Sequence, residues 1–168
     1  MAEIFQPDWG KTLRLEDYFA GTTVAWGVFE DRFGKLRRQF RVVMTGVVEN
    51  NVLTLREDFL YDDGEEETRT WSIRILGDGT YEGTAPGVLG RARGSVVGMA
   101  FSWRYGFDLP IGGGKTLRVT FDDRFYLQGD GVMINRARVS KLGLLLGEAT
   151  IVFSKADAEM DRQARIAA

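Results

Sequence analysis

The sequence of 168 residues contains no cysteine and no histidine, and it has only three prolines. Without cysteine it can form neither a disulfide nor a thiolate metal site, and without histidine it has no imidazole ligand. A catalytic triad that relies on histidine is excluded for the same reason. We therefore predict no metal ion and no cofactor. The lack of cysteine is compatible with both reducing and oxidising compartments.

An excess of one charge and a long hydrophobic run are also missing. The 22 Lys and Arg residues nearly balance the 24 Asp and Glu residues, whereas nucleic-acid binders usually have a basic excess, so we predict no nucleic-acid partner. No stretch approaches the roughly 18 apolar residues of a membrane span, and residues 1–8 lack the basic and apolar regions of a secretory signal. These features predict a cytoplasmic protein without a membrane span. A chain whose signal had been removed would look the same, which leaves a periplasmic location open.

What the sequence does contain is alternation of apolar and polar residues between about residues 22 and 154, interrupted by turn residues at short intervals. The stretches 53–61 and 117–127 are clear examples of this period-two pattern, which is typical of strands. The connections have hairpin length and leave no room for helical crossovers. Because such a meander must remove its exposed edges, we predict an all-β fold: a single up-and-down antiparallel β-barrel of roughly ten strands, lipocalin-like.

The domain organisation follows from this pattern. We predict an N-terminal segment over residues 1–21, the barrel over residues 22–155 and a helical tail over residues 156–168. Within the first segment, residues 15–20 read as a short helix that covers one end of the barrel. Ser154 is a suitable N-terminal cap for the C-terminal helix.

Two charged residues interrupt the apolar alternation on the inward face of neighbouring strands. Glu57 shares the parity of Leu55 and Phe59, and Arg69 shares the parity of Trp71. If the intervening turn keeps both apolar sets on one face, Arg69 lies opposite or diagonal to Glu57. An inward carboxylate needs such a partner, because an unpaired buried charge is costly. This pattern has two interpretations: a structural ion pair that fixes the strand register, or a ligand-binding or acid–base pair in a cavity.

A second inward carboxyl is predicted at Asp123, which shares the parity of Phe121 and Phe125. A tight turn follows, and we expect Arg136 or Arg138 on the next strand to face Asp123. Two inward acid–base pairs exceed what a purely apolar core needs. They indicate a polar cavity inside the barrel.

Two further features leave alternatives open. The small residues Gly83, Ala85, Ala92 and Gly94 either leave open space inside the barrel or make room for a neighbouring Trp or Tyr side chain. The apolar run at 142–147 breaks the alternation, and a buried turn is the more common form of such a run. It also suits an apolar lip at the cavity mouth, or a contact for a partner or a membrane.

Several motifs resemble those of a bacterial family of unknown function. They are Leu15-Glu16-Asp17-Tyr18-Phe19 with Gly21, Ala25-Trp26-Gly27-Val28-Phe29-Glu30-Asp31-Arg32, Glu57-Asp58-Phe59 with Tyr61, Tyr81-Glu82-Gly83-Thr84-Ala85, Trp103-Arg104-Tyr105, Phe121-Asp122-Asp123, Asn135-Arg136-Ala137 and Ser140-Lys141-Leu142-Gly143. The resemblance covers about residues 13–155. It implies one compact lipocalin-like barrel and no catalytic residue. Many members look like envelope lipoproteins, whereas this sequence has no lipobox cysteine.

Three functions are compatible with these observations. The favoured one is binding of a small apolar or amphipathic, lipid-like molecule that bears a carboxylate, with Arg69 and Arg136 as the anion partners. The second is a cofactor-free lyase or isomerase in which Glu57 acts as general acid or base. The third is a structural or partner-binding module whose barrel is filled by its own side chains. The predicted ligand-binding residues are Glu57, Phe59, Tyr61, Arg69, Trp71, Trp103, Tyr105, Phe121, Asp123, Phe125 and Arg136. Neither the ligand nor the oligomeric state is predicted.

Overall fold

The structure, a computed structural model, describes residues 9–155. Its elements are α1 (Leu15–Tyr18), β1 (Gly21–Asp31), β2 (Leu36–Glu49), β3 (Val52–Tyr61), β4 (Glu66–Gly77), β5 (Thr80–Thr84), β6 (Val88–Val97), β7 (Ala100–Gly112), β8 (Lys115–Leu127), β9 (Met133–Lys141) and β10 (Leu144–Ser154). The helical tail predicted over residues 156–168 lies outside the described residues. No helix within residues 9–155 is long and apolar enough to cross a membrane.

The ten strands form a closed barrel in which each strand pairs with the next strand of the chain. All ten pairs are antiparallel, and β1 pairs with β10 to close the sheet. Closure leaves no unpaired edge in the sheet, which is how a meander of this length avoids edge-to-edge association. The prediction of an up-and-down barrel of about ten strands is confirmed.

The alternation of the sequence becomes the inside and outside of the barrel wall. In β3, Leu53 and Leu55 are buried while Thr54 and Arg56 are exposed, as expected where successive side chains point to opposite faces. The strand β1 departs from this pattern, because it places a large apolar side chain outside: Trp26 is on the outer surface with 42% of its area exposed. The neighbouring inward position has no side chain at all, since it is a glycine.

That glycine, Gly27, allows a close contact between the neighbouring strands β1 and β2. A Cβ atom at this position would lie 2.3 Å from the ring of Phe40 on β2. The aromatic ring therefore rests directly on the backbone of β1 and occupies the space that a β1 side chain would otherwise fill.

The helix α1 covers one end of the barrel, as predicted. The Tyr18 hydroxyl donates to the Gly131 carbonyl at 2.8 Å, and the Tyr81 hydroxyl donates to Glu16 at 2.6 Å. The chain after α1 also packs tightly, because a Cβ atom on Gly46 would lie 1.8 Å from the carbonyl oxygen of Phe19. These contacts fix a floor beneath the interior.

The small residues on β5 and β6 make room for a side chain rather than leaving open space. A Cβ atom on Gly83 would lie 2.8 Å from the Trp103 ring, and one on Gly94 would lie 2.7 Å from the same ring. The indole of Trp103 therefore fills the volume beside these strands. This resolves the two alternatives that the sequence left open.

The apolar run at 142–147 contains the turn between β9 and β10 at the end of the barrel opposite α1. Leu142 is 99% exposed and has a φ angle of 49°, followed by Gly143 at 80°. Two left-handed residues in succession are typical of a tight hairpin turn. The expectation of a buried turn is therefore wrong, because this hairpin projects its leucine into solvent.

Candidate ligand-binding cavity

The barrel encloses a cavity of about 600 Å³. It extends from Leu15 and Phe19 near α1 to Glu65, just before β4, and Glu66, at the start of β4, at the opposite end of the barrel. Ligand sites for small molecules commonly have volumes of about 300–1,000 Å³. The interior is therefore not filled by the side chains of the barrel itself.

All but one of the residues predicted to bind a ligand line this cavity. The lining residues of that set are Glu57, Phe59, Tyr61, Arg69, Trp71, Trp103, Tyr105, Phe121, Asp123 and Phe125. The exception is Arg136, which is exposed on the outer face of β9. Its guanidinium pairs there with Glu148 on β10, with 2.6 Å between Nη2 and Oε1.

Packed aromatic rings form much of the cavity wall. Trp71 lies edge-on to Tyr105 with 5.2 Å between ring centroids, and Tyr105 stacks on Phe121 at 5.1 Å. Trp71 also contacts Trp103 at 5.8 Å. Such pairs stabilise one another beyond their buried area, so β4, β7 and β8 present a rigid apolar surface to the interior.

Glu57 and Arg69 lie opposite each other in the β3–β4 hairpin, as the strand parity predicts, but Arg69 forms its salt bridge with Glu67 and not with Glu57. Their Cα atoms are register partners. The Arg69 guanidinium binds Glu67, with 2.7 Å between Nη2 and Oε1, and the Tyr61 hydroxyl donates to the other oxygen of Glu67 at 2.9 Å. The sequence analysis missed Glu67, although it shares the parity of Arg69 on β4.

The Glu57 side chain lines the cavity and is partly buried. Burial raises its pKa from 4.5 to about 7; the Glu67 carboxylate also raises it, while the Arg69 guanidinium and the Trp71 side chain lower it. A carboxyl group of this kind still holds a proton near neutral pH. It can therefore donate a hydrogen bond, or exchange a proton with a bound molecule.

Asp123 points inward as predicted, but its expected partners do not. It lies opposite Ala137 in the β8–β9 register, so Arg136 and Arg138 have the other parity and are exposed. The expectation that either arginine faces Asp123 is therefore wrong.

The environment of Asp123 is that of an isolated buried acid. Only 7% of the residue is exposed, and within residues 9–155 its Oδ1 atom has no hydrogen-bond partner. Burial raises the pKa of this carboxyl well above its usual value; Glu57 and Asp122 raise it further, and Arg69 opposes them. Burial likewise raises the pKa of the nearby Tyr105 hydroxyl. The deep part of the cavity thus combines acidic groups with a single guanidinium.

The mouth of the cavity contains a second arginine that is also paired. The Arg38 guanidinium lies 3.4 Å from the centroid of the Tyr61 ring, and it binds Asp63 at 3.1 Å as well as Glu65. The Arg38 side chain is therefore held against the rim by an aromatic face and two carboxylates.

Comparison with known proteins adds the fold relationship and the family. The chain is similar to the crystal structure of Rv2717c from M. tuberculosis, with a TM-score of 0.61 and 15% sequence identity over 83% of this chain and 95% of that one. At this identity the likeness concerns the fold. No curated protein matches the chain. A family model described as "Protein of unknown function (DUF3833)" matches residues 6–155, and the chain belongs to this family.

Proposed function

We propose that the barrel binds a small, largely apolar molecule in its interior. The observation that carries this proposal is the unfilled volume of about 600 Å³ inside the barrel. The side chains of Trp71, Tyr105 and Phe121 contact one another along its wall. Transfer of apolar ligand surface onto such a wall is favourable by about 25 cal/mol per Å², which supports an apolar body for the ligand.

The support for a carboxylate head group is weaker than the sequence predicted. Arg136 lies outside the barrel, which leaves Arg69 as the deep cation. Arg69 already binds Glu67 at 2.7 Å and faces Glu57 in the register. A ligand carboxylate would have to displace Glu67 and approach Glu57, so the apolar body is the better supported part of the proposal.

Native mass spectrometry of the purified protein tests the proposal directly. We expect a fraction of the protein to have an additional discrete mass that disappears on denaturation, and organic extraction then identifies the class of ligand. In a second step, protein from which the ligand has been extracted is titrated with a small aromatic probe such as 2-(1-naphthyl)ethanol. If the native protein has no additional mass and the probe does not bind, the proposal is contradicted.

Catalysis by Glu57 is a second candidate, and one observation favours it. The carboxyl group faces open volume and its pKa is about 7, which suits a group that both accepts and donates a proton near neutral pH. In an isomerisation, the Glu57 carboxylate would remove a proton from a substrate carbon and return it to another carbon, so that no other reactant is needed. Arg69 would hold the substrate.

Panels of hydroxylated aromatic acids and unsaturated fatty acids test this second candidate. Turnover that follows a group with a pKa near 7 and is lost in Glu57→Gln would support it. The matched control is Asp58→Asn, which neutralises a carboxyl that binds Arg56 and Thr68 rather than lining the cavity. Absence of turnover across both panels would contradict it.

A further inference from the structure

We propose that the deep part of the cavity selects a protonated amine, so that the ligand carries an ammonium group on an apolar body. The inference rests on the binding proposed above, because it names the head group that the same cavity would take. It follows from the charges that face the interior, from one orphaned buried carboxyl oxygen and from the aromatic faces beside it.

The charges that face the cavity include more acids than bases. Glu57, Glu67 and Asp123 line it together with Arg69, and Arg69 binds Glu67. Within residues 9–155, neither Glu57 nor Asp123 forms a salt bridge, although Arg69 acts on both at longer range. Two carboxyl groups thus remain available to a cationic ligand.

Asp123 is the group that most needs a donor. It is more than nine-tenths buried, it lines the cavity, and its Oδ1 atom has no partner among the described residues. A buried acceptor without a partner costs about 1–3 kcal/mol. An ammonium group brings three donors, which is enough to bond Asp123 and reach a second carboxyl in the same cavity.

The charged and titratable groups around Asp123 come from several strands. Glu57 on β3 and Asp122 on β8 raise its pKa, and Arg69 on β4 lowers it; Tyr105 on β7 interacts with it as well. Burial therefore favours the protonated forms of Glu57 and Asp123 in the empty barrel. A bound ammonium favours their ionised forms, so that binding of an amine releases protons.

Aromatic rings stand beside these carboxyl groups. Trp103 is the register partner of Asp123, and its ring contacts Trp71 at 5.8 Å. Faces of Trp and Tyr attract a cation, and they do so more strongly when water is excluded. The Glu66 carboxylate also lines the mouth, where a negative potential favours the approach of cations over anions.

The test compares three probes that share a naphthyl body and differ in the head group: 2-(1-naphthyl)ethylamine, 2-(1-naphthyl)ethanol and the carboxylate 1-naphthaleneacetate. Calorimetry on the full chain at pH 7 is expected to show the amine binding about tenfold tighter than the alcohol, as one charge-assisted hydrogen bond would provide. The acetate is expected to bind most weakly. Titration of the amine in two buffers with different ionisation enthalpies is expected to show release of protons.

Three variants locate the preference. In Asp123→Asn, the advantage of the amine over the alcohol is expected to disappear, and thermal denaturation reports whether the variant is folded. The matched control is Asp122→Asn, which neutralises the adjacent carboxyl that pairs with Arg104 and Arg124 on the outer surface, and it should keep the preference. If Asp123→Asn does not fold, Glu57→Gln replaces it, and this variant should weaken the preference for the amine over the alcohol.

The outcomes separate this inference from the proposed function. If the alcohol or the acetate binds at least as tightly as the amine, or if Asp123→Asn keeps the preference for the amine, the inference is overturned and the proposed function stands. If none of the three probes binds, the inference is overturned, and the proposed function is overturned with it when native mass spectrometry also shows no additional mass.

Discussion

Glu57 links the chemistry of the cavity to the stability of the barrel. Its pKa is raised from 4.5 to about 7 by burial, so the folded protein holds this proton in a pH range in which the unfolded chain has lost it. A raised carboxyl pKa means that the ionised form destabilises the fold. Retaining such a group inside a barrel lowers the stability at neutral pH relative to acidic pH.

At the residue scale, the first prediction concerns Glu57→Gln. The stabilisation that comes from the protonated Glu57 is present below about pH 4.5 and is lost as the pH rises to about 7, which amounts to roughly 3 kcal/mol. The Gln variant should therefore exceed the wild type in free energy of unfolding at pH 8 and lose that advantage near pH 4.5. Urea denaturation at a series of pH values measures the difference.

Asp58→Asn is the control for this prediction. Hydrogen bonds from Thr68 and Arg56 lower the Asp58 pKa, so its stabilising contribution is present above its unfolded pKa and disappears at lower pH. The control should therefore be less stable than the wild type at pH 8. A difference between Glu57→Gln and the wild type that does not change with pH would contradict the buried position of Glu57.

Residue parity also decides how much of the site could be predicted from the sequence. Glu57 and Arg69 were paired correctly because a short turn joins two strongly alternating strands, which leaves one register that buries both apolar sets. The link between β8 and β9 is less constraining. Only the observed pairing of Leu127 with Met133 places the odd-numbered residues of both strands inside, and with them Asp123 and Ala137.

The volume of the cavity was beyond sequence analysis for a different reason. Alternation gives the direction of a side chain but not the distance to the opposite wall, so a cavity and a packed core produce the same pattern. The role of Gly83 and Gly94 likewise depends on Trp103, a residue from another strand. The order of strands, by contrast, followed from short connections and could be predicted in full.

At the element scale, glycines on β5 and β6 allow these strands to pack closely against β7 and its Trp103 side chain. A Cβ atom on Gly94 would lie 2.0 Å from the Ser102 carbonyl oxygen and 2.7 Å from the Trp103 ring. The backbone of β7 cannot retreat without losing its pairing with β8. The indole of Trp103 is therefore held in place from behind, and with it the aromatic wall of the cavity.

The second prediction compares Gly94→Ala with Gly106→Ala. The first substitution forces β6 and β7 apart and should lower the free energy of unfolding by about 2–3 kcal/mol, as overpacking typically does. A Cβ atom on Gly106 would meet only the Leu89 side chain at 3.3 Å, so this variant should stay within about 1 kcal/mol of the wild type. Equal losses in the two variants, measured by urea denaturation, would show that the Gly94 contact does not constrain the wall.

At the scale of the whole molecule, the barrel combines a closed hydrogen-bonded wall with an interior that its side chains do not fill. Pairing of β1 with β10 removes the sheet edges, and α1 covers one end. An unfilled interior lacks the dispersion contacts of a packed core. The stability of the empty barrel is therefore below what this number of strands could provide, and a molecule in the cavity should raise it.

The third prediction fills the cavity with a side chain. Ala149 on β10 lines the interior, and Ala149→Phe adds an apolar ring next to Ala137, its register partner on β9. We expect the melting temperature of the unliganded protein to rise, with a gain of about 1 kcal/mol or more in the free energy of unfolding. The affinity for 2-(1-naphthyl)ethanol should fall at least about tenfold, because the ring and the ligand need the same volume.

Val152→Phe is the matched control, since Val152 lies on the outer face of the same strand and is partly exposed. It adds the same ring without reaching the interior, so both melting temperature and probe affinity should stay close to the wild type. Thermal denaturation and calorimetry on the two variants give both quantities. If Ala149→Phe destabilised the barrel while probe affinity stayed unchanged, the volume near Ala149 would not be the space that a ligand occupies, and the binding site would have to lie nearer the mouth.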